Sequence, residues 1–404
     1  MVANRKESRQ PPIMARRLIR IGSFLAIAII VLLYWFWPWY LDETYIASLH
    51  AQDIDPWAVE NWERLRGTVT PNVSAALIIL AMDKDVDDVV DTISVFKNRF
   101  LGRVSNHYSW ILFNDGHFSS DFRSKTSSAA YPNRVIYADN IAEATGILHP
   151  THQKSIEHLY WGVPSWIDQE LMKAKWETMP RERTNRLSYR HMCRFHSGLV
   201  YKHPALKGFD YVMRLDSGML IHCDVDDMLD PFAEMARDNV AYGFGISMTD
   251  GMWSIPTLWS TTKAFIAHYN FVNPNDPIPR DKRLLDFISD DGGETFNTCH
   301  FWDNFEVVRV EFMQRPEVQE YFEWLDVAGG FFYERWGDAP VHTLCVVLFA
   351  RHSEVRRLDH IAYTHHPETQ CPQDIVTFQK GNCTCNPKKS FNKWWTCGHR
   401  WTNN

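Results

Sequence analysis

The sequence predicts an α/β domain on a mainly parallel central sheet, and three consecutive stretches predict it. Ala75–Met82 (AALIILAM) is an apolar run of strand length. The following DKDVDDVVDTISVFKNRF spaces Val86, Val89, Val90, Ile93, Val95 and Phe96 as the buried face of a helix. Tyr108–Phe113 reads as a second strand ending at Asn114-Asp115-Gly116, and Arg134–Tyr137 as a third. Strands alternating with helices give a parallel sheet whose ligands bind beyond the carboxyl ends of the strands.

Ahead of this domain, residues 1–20 are polar and basic, with Arg5, Lys6, Arg9, Arg16, Arg17 and Arg20 against one acid, Glu7. No charge interrupts Ile21–Tyr40. As a helix, about 20 such residues cross a hydrocarbon layer of roughly 30 Å. Trp35, Trp37, Trp39 and Tyr40 gather at its far end, with Asp42 and Glu43 beyond. The expectation is a cytosolic tail (1–20), a signal anchor (21–40) and everything else on the luminal side. The run is too long and its end too bulky for a cleaved signal peptide. Residues 41–74 show no strong period and read as a stem, leaving 75–404 as one luminal domain. Asn72-Val73-Ser74 and Asn382-Cys383-Thr384 are glycosylation sequons usable there.

The 404 residues carry 45% hydrophobic and 23% charged side chains, an ordinary globular balance. A formal net charge of −7 gives nucleic acid no general electrostatic attraction. Tyr211–Leu215 reads as a further strand, and Asp216-Ser217-Gly218 as the turn closing it. A carboxylate there suits a nucleotide-bound Mg²⁺ or Mn²⁺ ligand, although the tripeptide alone favours an Asx-type turn. Cys371, Cys383, Cys385 and Cys397 crowd the tail 371–404 and predict disulfides, whereas Cys193, Cys223, Cys299 and Cys345 read as buried thiols. From Phe296 to His342, aromatics, acids and paired glycines follow neither period, which suggests a site built on loops.

Four motifs carry a resemblance: SYRHMCRFHSG (Ser188–Gly198), CHFWDNFEV (Cys299–Val307), AGGFFYERWGDAPVH (Ala328–His342) and IAYTHHPETQCP (Ile361–Pro372). Together, and in this order, they resemble the fungal Golgi α-1,2-mannosyltransferases that extend O- and N-linked mannan. The resemblance implies a GT-A-type fold, GDP-mannose as donor, Mn²⁺ as cofactor, a mannosylated glycoprotein or oligosaccharide as acceptor, and retention of configuration. It also implies a single-pass type II protein of the Golgi membrane. By motif position, Tyr189 and Glu306 become the catalytic candidates, Glu306 facing the reacting carbon as nucleophile or electrostatic partner. Asp216 and His365 become the metal ligands. Arg214 is expected to contact the donor together with Asp216 and Tyr189. Trp302, Asn304, Gly330, Trp336 and Asp338 are expected around the sugars, the tryptophans, with Phe331 and Phe332, as stacking walls.

The family pattern has Glu-Pro-Asp where this chain has Asp216-Ser217-Gly218. The first carboxylate is one methylene shorter and the second is absent, which predicts weakened metal binding. Two alternatives stand beside mannosyl transfer: mannosyl-phosphate transfer, a variation within the family that the chain resembles, and, from the altered turn, a catalytically weakened glycan-binding or scaffold subunit.

Overall fold

A computed structural model describes residues 42–66, 71–139, 141, 160–179, 187–391 and 396–403. The chain divides into two compact units, Met1–Asp53 and Ile54–Asn404. In the first, a helix covers 42–50. Among the described residues no helix is long and apolar enough to cross a membrane, and the tail and anchor expected at 1–20 and 21–40 lie outside them.

The second unit opens with a helix, Pro56–Arg66, where a stem without regular structure was expected. Its Trp62 is buried and donates its indole N–H to the Thr377 hydroxyl at 2.8 Å, so one aromatic docks the segment. In chain order the strands are β1 (Ala75–Leu80), β2 (Ser109–Phe113), β3 (Val135–Ala138), β4 (Tyr211–Leu215), β5 (Leu220–Ile221) and β6 (Tyr242–Phe244). There follow β7 (Ser247–Thr249), β8 (Cys299–Phe301), β9 (Phe305–Arg309), β10 (Val355–Arg357), β11 (Tyr363–His365) and β12 (Glu368–Gln370).

The central sheet runs β10-β6-β9-β4-β1-β2-β3. It is parallel throughout except at β9, which lies antiparallel between β4 and β6. Strand alternation separates two cores. Ala76, Ile78, Ile111, Val212 and Val308 join one; Leu77, Ile79, Leu112, Met213 and Val307 join the other. The reversed β9 places Glu306 opposite Arg214. By parity both belong to the Val212 and Val308 face, so charge enters an otherwise apolar layer.

The Phe296–His342 stretch is regular structure, not loops. It holds β8, β9 and the helices Pro316–Ala328 and Gly330–Tyr333, and it leads into Asp338–Phe349. That last helix is buried at every position, which erases the polar face that would have shown a period. Disulfides join Cys223–Cys383, Cys299–Cys397 and Cys371–Cys385. The tail cysteines pair as expected, but two of their partners, Cys223 and Cys299, had been read as thiols. Only Cys193 and Cys345 remain free and buried.

Candidate active site

At the end of β4 the chain turns through Asp216-Ser217-Gly218, with Gly218 in the left-handed region at φ 81°, and resumes as β5. β5 pairs with β11, setting Leu220 opposite Thr364, and this carries the neighbouring His365 to the turn. His365 Nε2 lies 3.5 Å from Asp216 Oδ2, so residues remote in sequence meet where the metal is expected. Trp302 stands edge-on to the His365 ring, with centroids 5.2 Å apart. The Asp216 side chain retains 39% of its accessible surface, and His365 Nδ1 is buried without a partner. One carboxylate and one imidazole nitrogen, His365 Nε2, that face each other fit a divalent ion such as Mn²⁺. At Gly218 a Cβ would meet nothing within 4 Å, leaving open space where the resemblance expects a second carboxylate.

Deeper in, the charges satisfy one another. Arg214 Nη1 donates to Asp303 Oδ2 at 2.8 Å and to Asp338 Oδ2 at 2.6 Å, while Nη2 lies 3.6 Å from Asp216. A buried guanidinium recovers its lost hydration from carboxylates, and here Asp303 and Asp338 supply it at Nη1 while Nε has no partner. Asp338 is the first residue of helix Asp338–Phe349 and points to Arg214, not outward as a sugar ligand. Burial raises its pKa, but Arg214, His196 and His342 outweigh this and hold it below the usual carboxylate range. Asp303 goes the other way. Burial pushes its carboxyl well up, and Asp338 and Glu306 add to this against the pull of Arg214.

Glu306 does not stand open to a sugar; it is only 1% exposed. Its Oε2 accepts from the Tyr242 hydroxyl at 2.7 Å and contacts His342 Nδ1 at 3.0 Å. Its Oε1 has a long 3.5 Å contact with the Tyr201 hydroxyl. Asp303, Glu306 and His342 each place a ligand atom within 4.8 Å of the others, the outline of an acidic metal site. The donors do not fit an exchangeable ion. His342 Nδ1 already faces Glu306 Oε2 at 3.0 Å and Asp303 is held by the Arg214 cation, so the three groups are taken up by one another and by Arg214.

Burial opposes charge on His342, but Glu306, through its charge and its hydrogen bond, and then Asp303 and Asp338, outweigh it and raise the pKa from 6.5 to about 9. A raised imidazole stabilises the fold fully below pH 6.5 and loses that contribution as pH rises through about 9. The groups facing it are Glu306 and Asp303 from β9 and the turn before it, Asp338 from its own helix, and His196 and Tyr201 from the helix Leu187–Ser197 and the turn after it. Urea unfolding is therefore expected to show a loss on the order of 3 kcal/mol between pH 6 and 10. A midpoint that stays level or rises across that window contradicts it.

Among the remaining expected residues, Asn304 is buried and neither atom of its amide has a partner. Tyr189 is half-buried and lines a pocket of about 270 Å³ with Ala81, Asp85, Asp115, Trp161 and Met192, beyond the carboxyl end of β1. The Arg335 guanidinium lies 3.9 Å over its ring. Trp336 and Gly330 are core residues, a correction to their expected contact with sugar. Trp336 is buried against Phe331, and a Cβ on Gly330 would fall 2.0 Å from its indole. Phe331 and Phe332 are equally buried. Gly330→Ala is accordingly expected to lower stability by about 1–3 kcal/mol in urea unfolding, and an unchanged midpoint would show that the indole can move aside.

Sequence reasoning missed Asp303, His342 and Tyr242. Asp303 and His342 stand inside quoted motifs, but Tyr242 lies in a short strand with no polar neighbour to mark it.

The glycolipid 2-alpha-mannosyltransferase family profile matches residues 50–404. The chain belongs to that family. Like its expected class, it is a glycosyltransferase of the α-1,2-mannosyltransferase type. It is 36% identical to the O-glycoside alpha-1,2-mannosyltransferase omh1 of Schizosaccharomyces pombe, over 84% of this chain and 80% of that protein. It is 35% identical to the alpha-1,2 mannosyltransferase KTR1 of Saccharomyces cerevisiae, over 80% and 76%. Among solved structures, core-mannan synthase A (CmsA/Ktr4) of Aspergillus fumigatus in its Mn/GDP form aligns at TM-score 0.64 and 32% identity, covering 76% of this chain and 78% of that one. The expected glycosyltransferase fold is thus the family's fold.

Proposed function

We propose that this mannosyltransferase moves mannose from GDP-mannose to a mannose-terminated N- or O-glycan, with retention of configuration. Relatives named as α-1,2-mannosyltransferases and a Mn/GDP-form structure at 32% identity support the reaction. The observation that carries the site is the Asp216–His365 pair beyond β4, partly exposed and with Trp302 edge-on to the imidazole.

Asp216 and His365 would hold Mn²⁺. Bound there, the ion would supply a positive charge for the departing diphosphate. Asn304 offers both a donor and an acceptor, the complement of sugar hydroxyls. Trp302, beside His365, supplies an apolar face. Tyr189 borders the pocket beyond β1, where a sheet of this kind receives its nucleotide. Burial of Glu306 favours the electrostatic role over the nucleophilic one. Attack needs bonding distance to carbon, whereas a carboxylate's field acts across several ångströms on the oxocarbenium-like sugar. Residence in the Golgi membrane, as a single-pass type II protein anchored through 21–40, completes the reading.

The test is GDP-mannose turnover by the full chain on a mannoside acceptor, with and without Mn²⁺. A mannoside bearing acid-labile phosphate would assign mannosyl-phosphate transfer. Retained mannoside binding without turnover would assign the scaffold role that the vacant place at Gly218 favours.

A further inference from the structure

His342 has no role in the reaction as described so far. It is fully buried in helix Asp338–Phe349, amid Val341, Leu344 and Cys345. A polar ring placed there is costly unless both its nitrogens find partners. They do. Nε2 lies 2.9 Å from the His196 backbone carbonyl, and Nδ1 lies 3.0 Å from Glu306 Oε2. A carbonyl has only lone pairs to offer, so Nε2 carries a hydrogen. At Oε2, Tyr242 already donates at 2.7 Å, and Tyr242 has no competing partner for that hydroxyl hydrogen. Nδ1 therefore meets an acceptor as well. Two donors converge on one oxygen, while the other keeps only the 3.5 Å contact with Tyr201.

We propose that His342 is a positioning residue for mannosyl transfer: donating from both nitrogens, it ties helix Leu187–Ser197 to β9 and clamps Oε2 of Glu306, leaving Oε1 to act on the reacting sugar. The proposal rests on the role given to Glu306 above and deepens it. The terminal torsion of a glutamate is broad and roughly two-fold, so one hydrogen bond would leave the carboxylate free to swing. Two donors of different origin, one from a helix and one from β6, fix both its plane and its depth. A stabilising carboxylate works by being held in place beforehand, so that nothing has to reorganise as charge develops on the sugar.

Glutamine and asparagine separate this role from simple stitching of helices. The amide nitrogen of Gln reaches the place of Nε2 and keeps the bond to His196. That of Asn reaches the place of Nδ1 and keeps the bond to Glu306. The experiment uses the full chain with GDP-mannose and methyl α-mannoside, and measures kcat, KM and the urea midpoint for His342→Gln, His342→Asn and Glu306→Gln. His342→Gln is expected to lower the midpoint at neutral pH, because it gives up the charge paired with Glu306, and to keep its KM for GDP-mannose while kcat falls about 10-fold or more. His342→Asn, which also loses the charge but keeps a donor on Glu306, is expected to be the more active of the two whatever its midpoint.

Parental turnover in His342→Gln beside an inactive Glu306→Gln overturns the positioning role alone. Parental turnover in Glu306→Gln overturns the reading of Glu306 and the positioning role with it. Loss of kcat in step with stability in both histidine variants, or failure of both to fold, makes the imidazole a structural tie and nothing more.

Discussion

Arg214→Met is expected to destabilise the protein by about 3–5 kcal/mol, read as a fall in the urea midpoint at neutral pH. The guanidinium is almost wholly buried, and one of its nitrogens holds both Asp303 and Asp338. Methionine fills much of the same volume, so the loss is electrostatic in origin. Without the cation two carboxyl groups are left in an apolar layer, and the protein must protonate both or admit water. The triple variant Arg214→Met, Asp303→Asn, Asp338→Asn is expected to regain part of the loss, because the amides carry no charge to desolvate. Comparing the triple variant with Arg214→Met and with Asp303→Asn, Asp338→Asn alone isolates that coupling, since Arg214 contacts both carboxyl groups. A midpoint for Arg214→Met within about 0.5 kcal/mol of the parent, the range of an ordinary surface substitution, would remove Arg214 as the organiser of the network.

Much of the fold could be read in advance, because strands buried on both faces announce themselves as short apolar runs. Ala75–Leu80, Ser109–Phe113, Val135–Ala138 and Tyr211–Leu215 all fall within a residue or two of the expected bounds. The half of the chain after β4 was harder. Helix Asp338–Phe349 has no polar face, and β8 and β9 are short and buried, so no period distinguishes them from loops. The helix Pro56–Arg66 escaped because its attachment depends on Trp62 meeting Thr377, a partner from the opposite end of the domain.

The site divides in the same way. Asp216 was legible as a carboxylate at a strand end, and His365 through the motif that carries the resemblance. The interior network was not, because its members come from β4, β6, β9 and two helices, and only the register of β4 against β9 brings them together. Residue type alone was silent at two places. Arg214 is drawn to Asp303 and Asp338, and Trp336, expected as a sugar face, is packed over Gly330 and bonded to Glu334, partners that no local pattern reveals.

Asp216→Ala and His365→Ala are each expected to lower Mn²⁺-dependent turnover by about 10²–10³-fold, the scale seen when one group stabilising a transition-state charge is removed. Stability should change little. Asp216 is partly exposed and its contacts with Arg214 and His365 are long, at 3.6 Å and 3.5 Å, so neither variant strands a buried charge. The decisive quantity is the double variant. If both residues hold one ion, losing the first ligand already forfeits the ion's contribution, and the second loss adds almost nothing. Two independent roles would instead multiply. Asp216→Glu sharpens the distinction, because it restores the side-chain length that the family pattern has at this turn, and Gly218 leaves open space beside it. That variant should reach half-maximal rate at lower Mn²⁺ than the parent. A parental Mn²⁺ requirement in Asp216→Ala would place the ion elsewhere and leave the turn beyond β4 as a turn.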